Sequence, residues 1–255
     1  MIRHQDDKPI IEGHLIEGAP PSLYCVFDFI SADQETLFLS KIYDGSKKWT
    51  SLLNRRLQNW GGLPSHKGMV KEGLPQWLTE QCENLSAGSV FPSGQQPNHV
   101  LVNEYLPGQG ILPHEDGPVF SPTIATVTLR SHCLLEFYPH RRQPDKDDPQ
   151  AGAEAEDGTE AGKDDGNEPE FKIYLPPRSL FVVKDDCYRT YLHGISDTSA
   201  DIVDEKVLNR TQSTHALAIN EVLERGTRVS MTIRHVPKVM KESVQQALMA
   251  RLLKR

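Results

Sequence analysis

From residue 99 onward, apolar and β-branched residues gather in short runs separated by Gly, Pro and Asp. HVLVNEYL (99–106), TIATVTLR (123–130), CLLEFY (133–138), FKIYL (171–175), SLFVVKD (179–185) and TRVSMTIRHV (227–236) each have the length and punctuation of a β-strand, and LYCVFDFI (23–30) is a further one near the start. The intervening pattern differs. Ser31 is followed three residues later by Gln34, a capping-box spacing, and Leu37, Phe38 and Ile42 form one apolar stripe, so a helix is expected there. A second helix is expected from about Pro75, burying Trp77, Leu78 and Cys82, because proline in the first helical turn forfeits no hydrogen bond. KESVQQALMARLLKR (241–255) reads as an amphipathic basic helix that packs on the surface. Several short strands behind two helices predict an α+β, mostly β domain built on a double-sheet β-barrel.

Composition changes this picture at one place. Residues 143–170 hold eleven Asp/Glu against two Lys, so the rest of the chain carries +2 of the overall −7. That segment has no aliphatic or aromatic side chain larger than alanine and cannot offset its own ordering entropy, so a disordered acidic insertion is expected. The remaining body, close to neutral, neither demands nor excludes a nucleic-acid partner. No apolar run approaches the roughly 18 residues of a membrane helix, and the polar start lacks a signal-peptide core. Cys25, Cys82, Cys133 and Cys187 are scattered without a CxxC pair. A soluble monomer of cytoplasm and nucleus is expected, with residues 1–14 flexible.

The candidate chemistry begins at ILPHEDGP (111–118). His114 and Asp116, two apart on extended backbone, can face one metal; the same spacing at His4 and Asp6 lies in the flexible start with no strand before it. A polar loop is the competing reading of His114 and Asp116. His193, in YLHGIS with Gly194 beside it, completes a two-histidine, one-carboxylate set suited to non-haem Fe(II) oxygen chemistry, with Zn(II) the competing metal. In TRVSMTIR, Arg228 and Arg234 share a face with Ser230 and Thr232, while Val229, Met231 and Ile233 take the core face. Two arginines about 20 Å apart along one strand face can bracket a short dicarboxylate with forked, charge-assisted hydrogen bonds; a solvated edge strand is the other reading. Asn103 and Tyr105 share a strand face and bring hydrogen-bonding tips suited to a carboxylate.

The order N-x-Y-x-P-G, H-x-D, H-G and R-x5-R resembles the AlkB-like family of Fe(II)- and 2-oxoglutarate-dependent dioxygenases. The stretches LQNWGGLP, NHVLVNEYLPGQGILPHEDGP, LHGI and RGTRVSMTIRHVP are most similar to its AlkB homologue 6 branch. The resemblance covers about residues 15–240 as one domain, interrupted by the acidic insertion and by a variable loop at 197–224. It implies a distorted double-stranded β-helix, or jelly roll. It also implies that His114, Asp116 and His193 hold Fe(II), and that Asn103, Tyr105, Arg228, Ser230 and Arg234 hold 2-oxoglutarate. Arg228 would answer the distal carboxylate, with Arg234 nearer the metal-chelating end or the substrate. The implied reaction consumes O2, releases succinate and CO2, and hydroxylates an N-methyl group on a nucleobase, which leaves as formaldehyde. RNA or DNA is the implied substrate; a protein, a small molecule, or binding with little catalysis are the alternatives. The chain departs from the family at Pro118, where base-repair relatives commonly carry an acid that helps read the base. QNWGGLPSHKGMV offers Trp60 for stacking and His66 and Lys67 for phosphate, although it reads equally as a Gly-rich connector with Trp60 in the core.

Overall fold

The computed structural model describes residues 8–44, 48–140, 168–213 and 216–240. The expected C-terminal helix (241–255), the His4/Asp6 pair and most of the acidic insertion lie outside the described residues. The last three residues of the expected insertion are structured. Glu168 receives a hydrogen bond from Lys206 Nζ (2.8 Å), and Glu170 bonds through its amide to the Phe137 carbonyl (2.8 Å).

The elements in chain order are β1 (Leu23–Val26), α1 (Ala32–Asp44), β2 (Thr50–Ser51), β3 (Arg56–Trp60), β4 (Gly62–Leu63), β5 (Val70–Lys71), α2 (Gln76–Ala87), β6 (His99–Tyr105), β7 (Ile111–His114), β8 (Thr123–Leu129), β9 (Cys133–Pro139), β10 (Phe171–Leu175), β11 (Leu180–Lys184), α3 (Asp185–Thr190), β12 (Tyr191–Ile195), β13 (Ala200–Ile202), β14 (Val222–Glu224) and β15 (Arg228–Arg234). Ser31 and Gln34 do cap α1: the Gln34 amide donates to Ser31 Oγ (3.2 Å), and the Ser31 amide donates to Gln34 Oε1 (2.8 Å). The buried stripe of α1 is Phe38 and Ile42; Leu37 faces solvent, contrary to expectation. In α2, Pro75 is the cap in extended backbone, Leu78, Cys82 and Leu85 are buried, and Trp77 is only partly so.

Seven strands form the larger sheet in the order β1-β11-β8-β15-β6-β3-β2, and four form the smaller one, β10-β9-β12-β7. Alternation along β15 decides which face does what. Val229, Met231 and Ile233 join Val100, Val102, Ala125 and Val127 beneath α1 and α2. Burying each of the valine, isoleucine and methionine side chains among them contributes about 1.5–3 kcal/mol. The opposite face of the larger sheet meets Cys133, Leu135, Phe137, Phe171 and Ile173 of the smaller sheet in a second apolar layer that includes Tyr105, Ile124, Phe181 and Val183. Two antiparallel sheets facing each other, with helices backing one of them, make a jelly roll of the mostly β class. β15 lies between β6 and β8. The reading of its arginines as residents of a solvated edge strand is therefore wrong.

Two stretches expected to be irregular are built into the core. Ile10 and Ile11 are buried beside α2, and the Ile10 amide bonds to the Gly88 carbonyl (2.8 Å), so residues 8–14 are not a loose start. Within 197–224, β13 and β14 pair, and Val203, Val207 and Leu217 form a small apolar cluster with Leu134. Arg225 grips Asp201 with two hydrogen bonds (2.7 and 2.6 Å) and bonds the Ser196 carbonyl (2.7 Å), tying this excursion to the end of β12. Burial alone would raise the Asp201 pKa. The His132 ring, with Nε2 3.4 Å from the carboxylate, and the hydrogen bonds from Arg225 outweigh it and hold the carboxyl below the usual carboxylate range.

Candidate active site

The sequence places its two candidate histidines 79 positions apart; strand pairing brings them together. β12 pairs with β7 so that His193 stands opposite His114, with a bulge between His193 and Ile195. Their ring centroids are 4.6 Å apart. One ligand atom from each of His114, Asp116 and His193 lies within 4.8 Å of the others. His114 and His193 are thus strand residues, and the competing reading of His114 as part of a polar loop falls. Nδ1 of His114 lies 2.8 Å from the Leu112 carbonyl, which assigns it the proton and leaves Nε2 for a metal.

Asp116 follows β7 and is held from across the cavity. An Arg234 nitrogen donates to its Oδ1 at 2.5 Å, with both side chains buried. Burial would raise the Asp116 pKa, but Arg234, His193 and His114 outweigh it and keep the carboxyl below its ordinary value. Burial pushes the His193 imidazole down to about 4. The cluster therefore presents one carboxylate and a neutral His193 imidazole at neutral pH, the protonation states a divalent metal requires.

This cluster opens onto a cavity of about 270 Å³ between the two sheets. Register fixes its wall. Tyr105 faces Arg228 and Asn103 faces Ser230 across β6 and β15; Leu101 faces Thr232, which in turn faces Thr126 of β8. All five residues expected to hold a keto acid, Asn103, Tyr105, Arg228, Ser230 and Arg234, line this one space with the three histidine and aspartate side chains. Several polar atoms on this wall are buried without a partner among the described residues: Asn103 Oδ1, Arg228 Nε and Arg234 Nε. Arg228 has one bond, to Thr128 Oγ1 (3.0 Å). A buried guanidinium left this poorly answered is costly unless an anion completes it. The donor set thus fits a metal ion at one end and a carboxylate-bearing ligand along the wall.

The expected substrate residues are elsewhere. β3 extends the larger sheet beyond β6, and Trp60 pairs with Val100, which faces Ile233. That row belongs to the helix side. Trp60 packs edge-on against Trp77 (6.1 Å between centroids) and donates its indole N–H to Gln58 Oε1 (3.0 Å). Of the two readings of Trp60, the structure supports the core one. His66 and Lys67 are exposed on the connection between β4 and β5, away from the cavity lining. Pro118 is exposed beside Asp116 and offers no acid. Four polar residues outside the expected set also line the cavity: Arg55, Glu115, Thr126 and Thr232. Thr232 is legible from its parity with Ser230. Arg55 requires recognising β3 as a strand.

Residues 29–234 match the model of the 2OG-Fe(II) oxygenase superfamily, and the chain belongs to that superfamily. It is an oxygenase of the kind that uses Fe(II) and 2-oxoglutarate, an oxidoreductase. A Danio rerio protein named "Probable RNA/DNA demethylase ALKBH6" is 45% identical over 92% of this chain and 94% of its own length, in accord with the AlkB-like branch that the motif order resembles. A Xenopus tropicalis protein named "tRNA (carboxymethyluridine(34)-5-O)-methyltransferase alkbh8" is 24% identical over 90% of this chain, which spans 34% of that protein. The solved structure of OsALKBH1 superposes with a TM-score of 0.50 over 85% of this chain and 99% of its own, at 11% identity, and shows the shared fold.

Proposed function

We propose that this protein oxidatively demethylates N-methylated nucleic acid, RNA or DNA. The observation that carries the reading is the joining of His114, Asp116 and His193 to the partnerless donors of Asn103, Arg228 and Arg234 in one enclosed space. The name of the 45% identical Danio rerio protein supports the substrate class.

In this reading His114 (through Nε2), Asp116 and His193 hold Fe(II), and Asn103, Tyr105, Arg228, Ser230 and Arg234 bind 2-oxoglutarate. Bound there, the metal and keto acid supply O2 activation coupled to release of CO2 and succinate. Arg234 acts in two directions, since its bond to Asp116 fixes that carboxylate while the same guanidinium lines the ligand space. Arg228 charge-pairs with the distal carboxylate, and the apolar wall of Ile124, Leu135, Phe137 and Phe181 keeps water from the reacting end. Hydroxylation of a substrate N-methyl group then gives a hemiaminal that releases formaldehyde and restores the N–H. His66 and Lys67 stand outside the cavity, where phosphate can reach them; Trp60 packs on the helix side of the sheet against Trp77.

The test supplies Fe(II), 2-oxoglutarate, O2 and a panel of N-methylated RNA and DNA oligonucleotides, and measures succinate and formaldehyde together. The expected result is equimolar production by the wild type and none by His114→Ala. Succinate without formaldehyde on every oligonucleotide would remove the nucleic-acid reading and leave a protein or small molecule as substrate.

A further inference from the structure

Arg55 is a charged residue that the reaction as described does not use. It sits on the connection between β2 and β3, lines the cavity, and has a buried Nε without a partner among the described residues. β3 pairs with β6 so that Arg56 stands opposite Glu104. The preceding residue, Arg55, therefore falls opposite Tyr105, whose other neighbour across the sheet is Arg228. Cross-strand neighbours project to the same face. Arg55, Tyr105 and Arg228 thus make a row of two guanidiniums flanking one phenol, at the end of the cavity away from Asp116.

We infer that Arg55 and Arg228 together clamp the distal carboxylate of the 2-oxo diacid, so that Arg55 is a second cofactor-specificity residue carried on the β2–β3 turn. A carboxylate has room for two forked partners, one on each side of the Tyr105 hydroxyl. Burial raises the Tyr105 pKa, and the largest opposing influences are Arg228 and then Arg55, consistent with both charges lying on this side of the cavity.

The turn is built to hold such a residue in place. The Leu52 amide bonds to the Arg55 carbonyl (2.8 Å), and Asn54 Nδ2 donates to Asp197 Oδ2 (3.2 Å), just past β12 and its His193. The turn that carries Arg55 is therefore tied, through Asn54, to the segment following β12.

This inference rests on the keto-acid reading of the cavity, and the test separates the two. Full-length protein loaded with Mn(II) under anaerobic conditions is titrated with 2-oxoglutarate and with 2-oxopentanoate, which has the same carbon chain but lacks the distal carboxylate. Arg55→Ala should raise the Kd for 2-oxoglutarate about tenfold or more while leaving the Kd for 2-oxopentanoate and for Mn(II) unchanged, and Arg55→Lys should fall between. Wild type that binds Mn(II) but not 2-oxoglutarate overturns the underlying reading. Wild type that binds it, with Arg55→Ala equal to wild type, overturns the role of Arg55 alone. An equal loss for both keto acids, or a loss confined to oligonucleotide binding, also overturns it, the last by moving Arg55 to the substrate.

Discussion

Replacing Trp60 by alanine separates a core residue from a substrate-stacking one by which measurement moves. Full burial makes a Trp→Ala change cost about 3–5 kcal/mol. Trp60 is only partly buried, yet it packs against Trp77, carries Lys48 Nζ 4.6 Å from its ring, and donates to Gln58. Scaling for partial burial leaves about 2–3 kcal/mol. For a chain of this size each kcal/mol lowers Tm by about 2–4 °C, so Trp60→Ala should melt about 4–12 °C below wild type. Thermal unfolding by circular dichroism gives the Tm, and anaerobic titrations of the folded variant at low temperature give its affinities for 2-oxoglutarate and for oligonucleotide. Both affinities should stay within a factor of two or so of wild type, because the Trp60–Val100–Ile233 row points away from the cavity. An unchanged Tm accompanied by lost oligonucleotide binding would refute the reasoning and return the ring to the substrate path.

Two further outcomes follow from the same geometry. His99 is fully buried opposite Arg234, and burial, then Arg234, push its pKa down from 6.5 to about 3. A histidine kept neutral by the fold contributes fully above about pH 6.5 and loses that contribution as pH falls toward its folded value, at about 2 kcal/mol by pH 5.0. Denaturant unfolding of metal-free protein at pH 7.5 and 5.0 should therefore show a difference that shrinks by about 2 kcal/mol in His99→Leu; an unaltered difference would count against it. At Gly110, a Cβ would be driven into the Ile195 carbonyl oxygen and would sit 2.5 Å from Asp197 Oδ1. Gly110→Ala should cost about 1–3 kcal/mol by overpacking and weaken Mn(II) binding by displacing β7 from β12, whereas Gly73→Ala, with nothing within 4 Å, should do neither. Equal metal affinity in the two variants would show that the His114–His193 pairing does not depend on this close approach.

What is legible in the sequence depends on whether polarity tracks exposure. In β15 it does on one face: three apolar residues meet the helices, and the polar positions between them line the cavity. Periodicity therefore locates β15 and β6 and assigns their functional face. β3 defeats the same rule. RLQNW places Gln58, fully buried, toward the helix side, where its amide satisfies the Ile42 carbonyl (2.9 Å), and puts Asn59, like the preceding Arg55, on the parity of the cavity face. A glutamine that reads as surface makes the strand look like a connector, and Trp60 then looks like part of a lid. β7 and β12 are hidden differently. Each is short and interrupted, by Pro113 and by Gly194, and each is held by partners distant in sequence: β12 lies between β9 and β7, and β7 pairs with β12 at the sheet edge.

That dependence explains why motif order is more informative here than any local pattern. The metal cluster is a product of the β7–β12 register, and the wall facing it is a product of the β3–β6–β15 register. Neither register is encoded within a single strand, but each brings together side chains whose polar atoms would be expensive to bury alone. Asn103, Arg228 and Arg234 retain partnerless buried atoms after folding, and Asp116 depends on Arg234 for its charge. Folding therefore leaves a polarity deficit along this cavity wall, and a dianion chelating a metal at His114, Asp116 and His193 would correct it. Arg55 enters the site on the same physical ground, because its uncompensated Nε belongs to that deficit although no histidine or carboxylate motif points to it.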